Sequence, residues 1–598
     1  MSKRPVRIAN FSGYFGDRYT AIDEVIGGDP VDVLMGDYLA EITLAALAKS
    51  YLRNPSKGYV DYFVAQIKPH LKSIAERGLK VVTNAGGFNP AALAAALKDL
   101  IAEEGFGLRV AFVDGDNILS ELQSLIAAGH AFESLDTRLP LSAWGHEPIV
   151  ANAYLGGWGI AAALEGGADI VICGRVTDAS LTLGPCAWWH GWKCEQWDQL
   201  ASAVLAGHII ECGAHATGGN FTGFQTLPSM MKPGFPIAEI ADDGTILITK
   251  HSGDGGAVTI DTVTAQLLYE IQGPRYLNPD VTAHVETAQL SQVGADVVRI
   301  SRIKGSPPPP TTKVAVFAQI GFQIVKLVFA TGLDVDAKAN LLRAQIEDIA
   351  RESGIDEVSV VRLGVPATDP RSQWDSTVTI RIMATARVEE ALSPQNFALK
   401  VDSLYLSSFP GFFTDTAALP VIHPRPRIEY WPALLAQSAL RHRVTHHDGA
   451  EVIVDPPAKY AISTQPIHPE PKPVVASDGI IMPLGSVAYA RCGDKGGNSN
   501  VGIWTPNPDA WPWLRTELST EKFRQLLPDA GNLKITRHEF PKLKAVHFIV
   551  HGLFGQGGSS NLRVDQIGKA VGEYILSRHI SIPEEFVRDA DRPAQAKS

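Results

Sequence analysis

The chain has 598 residues, of which 45% are hydrophobic and 20% are charged, and its formal net charge is −11. Two or more domains are expected, because a single hydrophobic core stops growing at roughly 250–300 residues. The acidic balance argues against nucleic acid as a partner, since phosphate backbones select basic surfaces, and it leaves a small-molecule substrate as the expected ligand.

Segment and cysteine patterns indicate a cytoplasmic protein. The first residues, MSKRPVRIANFSGYFGD, are basic but lack the apolar core of a secretory signal. No run approaches the roughly 18 apolar residues that a membrane-spanning helix requires. Five cysteines in so long a chain do not make a disulfide framework. We therefore expect a reduced, cytoplasmic chain with no membrane partner.

The first part of the chain alternates strand-like and helix-like segments. The runs RPVRIANFSG, LKVVTNAGG, LRVAFVDGD and ADIVICGRVTD are β-branched and each leads into small or polar residues. Helical patterns such as GDYLAEITLAALAKSYL and PAALAAALKDLIAEEG lie between them. This alternation is typical of a parallel sheet covered by helices on both faces. It predicts a doubly wound, mostly parallel α/β domain, to which we assign residues 1–284.

The rest of the chain divides into four further parts. Strand-like runs with few helices predict a ferredoxin-like α+β layer over residues 285–454. Residues 455–483 are proline-rich and aperiodic, which indicates a linker. A separate, small α+β domain is predicted over residues 484–585, and residues 586–598 form a polar tail.

Polar residues follow the predicted parallel strands. Asn84, Asp116, Arg175 and Asp178 each lie just beyond such a strand. In open parallel sheets ligands bind beyond the carboxyl ends of the strands, so these side chains would line one crevice. The alternative is that the asparagine and the aspartates cap the helices that follow. Arg175 does not fit that alternative, and its planar fork suits a carboxylate or phosphate group.

Three glycine-rich loops are candidates for holding an anion. NAGG contains Gly86 and Gly87, GDGGAVT contains Asp254, and GDKGGNSN contains Lys495. None is a nucleotide-binding P-loop, and no G-x-G-x-x-G follows the first strand, so no nicotinamide cofactor is expected. Each loop alone could be a turn that requires glycine. Three together favour a phosphate-bearing substrate such as a coenzyme A thioester, with no separate cofactor.

The stretch AGHIIECGAHATGGN, residues 206–220, groups chemically active side chains. His208, Glu211, Cys212 and His215 are spaced to share one helix face, which would suit a metal site, an acid–base site or a packed helix end. Gly213 is well placed to end the helix, which takes His215 off that face. We therefore predict no metal, with His208 and Glu211 as acid–base residues together with Asp178. The turn at Thr217, Gly218 and Gly219 would bring backbone N–H groups to the substrate.

Many motifs occur in the order of one known family. RIANFSGYFGDR, MGDYLAEIT, TNAGGFNP, GADIVICGRVTD, GHIIECGAHATGGN, FPIAEI, QLLYEIQGPRYLNPDV and ARCGDKGGNSNVGIW resemble the acyclic terpene utilisation family AtuA. The resemblance covers about residues 7–450 and, for the C-terminal ferredoxin-like domain, 484–580. It implies catabolism of citronellol- and geraniol-type compounds through acyl-CoA intermediates, and it favours a homo-oligomer. That family more often has glutamine where this chain has His215, which further weakens a metal role.

Two hypotheses follow. The first is an enzyme of hydratase or lyase type that acts on a terpenoid or branched acyl-CoA, or its free acid, by proton abstraction with addition or elimination. In it His208, Glu211 or Asp178 is the base, and Arg175 with the glycine loops holds the anion. The alternative is a non-catalytic binding or scaffold subunit for other enzymes of an acyl-CoA pathway.

Overall fold

The computed structural model describes residues 3–415, 423–472 and 479–588. Within them the chain is a mixed α/β protein with several sheets. Part of the predicted linker (473–478) and most of the predicted tail (589–598) lie outside the described residues. No helix in the described ranges has the length and hydropathy that a membrane crossing needs.

The largest sheet of the described chain has eleven strands, of which the central five run parallel. In sheet order these are Val6–Ser12, Val33–Gly36, Lys80–Thr83, Ile170–Cys173 and Val110–Asp114. Antiparallel strands extend both edges: Pro236–Ile240, Ile246–Lys250, Val297–Ser301 and Gln289–Gly294 on one side, Arg443–Thr445 and Glu451–Ile453 on the other. The prediction of a mostly parallel sheet therefore applies to the five central strands, and the whole sheet is mixed.

The two faces of the central strands enter two separate cores. Val82 and Val171 belong to one core, and their neighbours Val81 and Ile172 to the other. Successive residues of a strand point to opposite faces, so continuous β-branched runs bury both. The helices of the first core are Trp158–Glu165, Ser180–His190, Trp197–Ile210 and Ile260–Leu268. Those of the second are Ala21–Gly27, Glu41–Arg53, Asp61–Ile67, Leu71–Arg77 and Pro90–Glu103.

A second, antiparallel sheet lies in the middle of the chain. It is built from the strand Thr311–Thr331, helix Val335–Ser353, strands Glu357–Leu363 and Thr377–Ala386, helix Leu399–Ser403 and strand Phe412–Phe413. Numbered along the chain, these four strands lie in the order 2-3-1-4, with the βαββαβ connections of a ferredoxin-like layer. The first strand also pairs with Arg425–Ala436 and with Pro148–Ala153, which joins this sheet to the N-terminal region.

The predicted boundary at residue 284 runs through shared structure. Strands at 289–301 and 443–453 complete the edges of the largest sheet, although they follow that boundary in the chain. A small sheet is formed nearby by Arg275–Leu277, Thr282–His284 and Lys304–Ser306. The domain limits given above stay predictions.

The C-terminal region has its own core. Four antiparallel strands lie in the order Tyr489–Lys495, Asn498–Trp504, Ala545–Val550 and Ile535–Phe540. The helices Trp511–Glu517, Thr520–Leu526 and Val571–Leu576 accompany them, and Ile480–Pro483 pairs with His579–Ile582. A two-residue turn, 496–497, joins the first two strands and carries Lys495 toward the N-terminal region.

Candidate functional site

The carboxyl ends of the central strands bring Asp37, Asn84 and Arg175 together. Asp37 directly follows the strand Val33–Gly36 and is buried. Its Oδ1 accepts from Asn84 Nδ2 at 2.6 Å and from the Leu39 amide at 3.1 Å. Burial, and then the nearby Asp178, raises the pKa of Asp37 well above its ordinary value, so its protonated form is favoured.

Arg175 lies at the centre of this edge. Its Nη1 donates to Asp178 Oδ1 at 2.6 Å and to the Leu39 carbonyl at 3.0 Å, and its guanidinium lies over the Tyr154 ring at 4.1 Å. The backbone amide of Arg175 donates to Asp116 Oδ2 at 2.7 Å. The structure thus brings together Arg175, Asp178, Asn84 and Asp116, and burial raises the pKa of Asp116 to about 6.

His208 and Glu211 lie at the end of the helix Trp197–Ile210 and are both buried. His208 Nδ1 is 3.1 Å from Glu211 Oε1, while Glu211 Oε2 is buried without a hydrogen-bond partner. Burial, followed by Lys495, lowers the pKa of His208 to about 4. Burial, followed by Asp178, raises the pKa of Glu211. These shifts favour a neutral imidazole beside a protonated carboxyl group.

Two lysines of the C-terminal region meet Glu270. Lys569 Nζ donates to Glu270 Oε1 at 2.9 Å, and Lys495 Nζ lies 3.7 Å from Oε2. Burial would raise the pKa of Glu270, but Lys569 and Lys495 hold it at about 2, so it is ionised. Glu270 has a φ of 55°, a backbone conformation that side chains other than glycine rarely adopt and that is enriched at functional sites.

A second ion pair, between Lys313 and Glu41, lies near Arg175. Lys313 Nζ donates to Glu41 Oε1 at 3.0 Å, and the Tyr154 hydroxyl donates to the same oxygen at 3.2 Å. Although burial opposes it, the attraction of Lys313 and Lys495 keeps the pKa of Glu41 well below its ordinary value. The buried hydroxyl of Tyr430 near this pair has no hydrogen-bond partner.

These groups lie close enough to shift one another's pKa values. The side chains of Asp178, Glu270 and Lys495 keep 21%, 25% and 28% of their surface accessible, whereas Glu211 is buried. We call the set the charged cluster: Asp37, Glu41, Arg175, Asp178, His208, Glu211, Glu270, Tyr276, Lys313 and Lys495.

Other predicted residues serve the backbone. Thr217 Oγ1 donates to the carbonyls of Ala214 and Gly234 at 2.9 and 2.6 Å, and Gly218, with a φ of 116°, makes the turn that faces Leu227. A Cβ on Gly219 would lie 2.9 Å from the Ala214 carbonyl oxygen. These contacts tie the turn to its own surroundings.

Asp254 lies in a different place. Its backbone carbonyl accepts a hydrogen bond from Lys250 Nζ at 2.7 Å. Its side chain packs against Gly234, and its charge partly offsets the lowering of the His251 pKa by burial. Among the described residues, no hydrogen bond or ion pair joins the Asp254 side chain to the charged cluster.

Gly86 and Gly87 allow close packing. A Cβ on Gly86 would lie 2.5 Å from the Cys173 carbonyl oxygen and 2.8 Å from Pro90 Cα. Gly87 has a φ of 53°, and a Cβ there would lie 2.4 Å from a Leu47 methyl group. The glycines thus hold the strand end that carries Asn84 against the neighbouring strand end.

We expect Gly86→Ala to destabilise the fold by about 1–3 kcal/mol, because the added methyl group must displace backbone atoms. Gly107→Ala is the control, since a Cβ at Gly107 meets nothing within 4 Å. Thermal unfolding of both variants measures the difference. Equal melting temperatures would show that the strand ends are not tightly packed.

The sequence analysis did not identify Asp37, Glu41, Lys313, Glu270 or Tyr276. The Tyr276 ring packs at a tilt of 50° against His208, with ring centroids 5.0 Å apart, and burial, then Glu211, raises the pKa of its hydroxyl, which stays protonated. The sequence feature that could have identified Asp37 is its position directly after the four-residue strand Val33–Gly36. Among the described residues, no group of three or more His, Cys, Asp or Glu side chains is arranged to hold a metal ion.

Comparison with known proteins agrees with the motif pattern. A model of the acyclic terpene utilisation family protein AtuA matches residues 6–446, and a model of the AtuA ferredoxin-like domain matches residues 482–581. No curated protein and no solved structure matches the chain. Since the first match covers well over half of the sequence, the chain belongs to the acyclic terpene utilisation family AtuA.

Proposed function

We propose that this protein is an enzyme of acyclic terpenoid or branched acyl-CoA catabolism that adds or removes water by proton transfer. Family membership supports a role in acyclic terpene utilisation. The observation that carries the chemistry is the buried Glu211 carboxyl group, whose Oε2 has no hydrogen-bond partner and whose pKa is raised by burial and then by Asp178. A carboxyl group whose pKa is strongly raised by burial and a charged neighbour is typical of acid–base sites.

The charge balance of the site favours an anionic or electron-rich carbonyl substrate. Arg175, Lys313 and Lys569 each have a carboxylate within 3.0 Å. Lys495 has no carboxylate at such a short distance: its Nζ lies 3.7 Å from Glu270, which also pairs with Lys569. Although burial disfavours its charge, Glu270 raises the pKa of Lys495, which is therefore an ammonium with binding capacity to spare. This ammonium and the Tyr276 hydroxyl would donate to an enolate oxygen.

The elimination direction uses Asp178 and Glu211 in opposite roles. The Asp178 carboxylate takes the proton from the carbon next to the carbonyl, and the electron pair moves toward the carbonyl oxygen. As the double bond forms, the Glu211 carboxylic acid gives its proton to the departing hydroxyl group, which leaves as water. The proton that Asp178 has taken must then return to Glu211, and His208, 3.1 Å from Glu211, would relay it by accepting at Nε2 and donating from Nδ1. The hydration direction reverses each transfer.

Turnover of branched, unsaturated acyl-CoA esters and of their free acids tests the proposal. Mass spectrometry should detect gain or loss of one water with the purified wild type. Asp178→Asn should lower the rate by about 10²-fold or more, the usual effect of removing a positioned base. Asp369→Asn, an exposed loop aspartate, is the control and should keep the wild-type rate.

The opposite outcome would favour the scaffold hypothesis. If acyl-CoA esters neither turn over nor bind at high micromolar concentration, and the protein forms a stable complex with a carboxylase of the pathway, it is a binding subunit. Homo-oligomerisation stays a prediction that light scattering on the same sample would test.

A further inference from the structure

Arg491 is a buried cation without a carboxylate partner. It lies on the strand Tyr489–Lys495, and only 6% of the residue is exposed. Its guanidinium covers the Tyr269 ring at 4.3 Å, and its Nη2 lies 3.1 Å from Nδ1 of His215. Among the described residues, no Asp or Glu lies within ion-pair distance of it. Buried charges in folded proteins are ordinarily paired, so a missing anion is indicated.

His215 does not balance this charge. Its Nδ1 lies 3.3 Å from Gln266 Oε1, and its Nε2 lies 2.7 Å from Asn220 Nδ2. A neutral imidazole that donates through Nδ1 and accepts at Nε2 satisfies both contacts. Burial and then Arg491 lower the pKa of His215 to about 3, which keeps the ring neutral.

Arg491 opens onto a cleft between the loop at 220–224 and the C-terminal region. The cleft has a volume of about 340 Å³, and Lys569 and the rings of Phe221 and Phe224 also line it. Glu573 is its acidic lining residue, and the Glu573 carboxylate accepts from Thr222 Oγ1 at 2.7 Å. Two cations thus meet at one end of a cleft that has an exposed aromatic ring, Phe224, beside it.

The cleft is connected to the charged cluster. Lys569, which lines the cleft, donates to Glu270, and Glu270 is shared with Lys495. The cleft and the charged cluster are therefore linked through the Glu270 carboxylate, which Lys569 and Lys495 share.

We propose that Arg491 and Lys569 bind a phosphate group in this cleft. An arginine fork offers paired donors to phosphate oxygens, and a second cation suits a dianion. Phe224 would stack on a planar base, so the ligand class is a phosphate ester of nucleotide type. Its identification with the coenzyme A part of the substrate rests on the proposed function, whereas the phosphate site itself does not.

Binding measurements on the full chain test the site apart from turnover. Inorganic phosphate, adenosine 3′,5′-bisphosphate and coenzyme A are titrated by calorimetry against wild type, Arg491→Gln and Arg578→Gln. Arg578 is the control, since it also lies over a tyrosine ring, Tyr574 at 5.9 Å, but outside the cleft. We expect Arg491→Gln to weaken binding by about tenfold or more, and Arg578→Gln to leave it unchanged.

Thermal unfolding without added phosphate separates this role from a structural one. An unpaired buried charge destabilises the fold, so Arg491→Gln should melt at or above the wild-type temperature. A lower melting temperature with unchanged phosphate binding would make Arg491 structural and overturn the proposal, as would a wild type that binds none of the three probes.

The probes also distinguish the source of the phosphate. Tighter binding of coenzyme A and the bisphosphate than of inorganic phosphate supports a nucleotide-type ligand. Equal binding of all three supports a free phosphate and contradicts the stacking role of Phe224. Coenzyme A that binds to a protein without turnover would leave this site standing while the proposed reaction fails.

Discussion

Replacing Glu211 by glutamine is expected to lower turnover by about 10²-fold or more while the protein stays folded. Glutamine has the shape of the protonated carboxyl group but cannot release a proton to a leaving group. The buried, unpartnered Oε2 of Glu211 indicates that the site already holds a neutral side chain there. Steady-state rates with an acyl-CoA substrate, together with circular dichroism, measure the two effects.

The same change should alter the pH dependence of stability in a defined direction. Because the folded state raises the pKa of Glu211 above its unfolded value, it binds more protons than the unfolded state from about pH 4.5 upward. The stabilisation is complete below the unfolded pKa and is lost as pH rises toward the folded one. Glu211→Gln removes this loss, so its stability advantage over wild type should grow with pH.

Glu239→Gln is the matched control. Glu239 pairs with Arg7 across the neighbouring strands Pro236–Ile240 and Val6–Ser12, away from the charged cluster, and its replacement should keep turnover. If Glu211→Gln kept the wild-type rate, the acid would lie elsewhere in the charged cluster. A stability difference that shrinks with rising pH would show that Glu211 is ionised in the folded protein.

Lys313→Met is expected to destabilise the protein by about 3–5 kcal/mol at neutral pH, because it leaves the buried carboxylate of Glu41 without its nearest cation. Glu41 has a lowered pKa in the folded state, so its stabilising pair is present above the unfolded pKa and is lost as pH falls. The loss in Lys313→Met should therefore be largest at neutral pH and shrink on acidification. Urea unfolding at several pH values measures it.

The double variant Lys313→Met with Glu41→Gln is the control for this effect. It removes both charges and should recover most of the lost free energy, since neutral groups tolerate burial better than one unpaired charge. If the double variant were as unstable as Lys313→Met, the loss would come from the contacts of the Lys313 ammonium with the rings of Tyr154 and Tyr430.

The sequence predicted the central strands well and the edges of the sheet poorly. The runs at 170–173 and 110–113 are continuously apolar because both faces of the sheet are covered, and such runs can be recognised in the sequence. The strand Val33–Gly36 has only four residues, and GDYLAEITLAALAKSYL was interpreted as a helical pattern, whereas the helix begins at Glu41. Asp37 and Glu41 were missed with it.

Several predicted site residues lie just after parallel strands, and the structure brings those residues close together. Asn84, Arg175 and Asp178 could be found because parallel strands end at one edge of a sheet. Lys313 and Glu270 could not be found that way, because they join the charged cluster through contacts across more than 200 residues of chain. Lys495 was predicted because it lies in a glycine-rich loop that could hold an anion. In the structure that loop is a hairpin turn, and it is the Lys495 ammonium that contacts Glu270.

Hydrogen–deuterium exchange in heavy water tests the central claim, that the charged cluster moves a proton on the carbon next to a carbonyl. A saturated branched acyl-CoA has no leaving group, so exchange there reports proton abstraction alone. Wild type should incorporate deuterium at that carbon, Asp178→Asn should not, and Glu211→Gln should still do so despite its loss of turnover. Equal incorporation by wild type and Asp178→Asn, or none by wild type, would contradict the account.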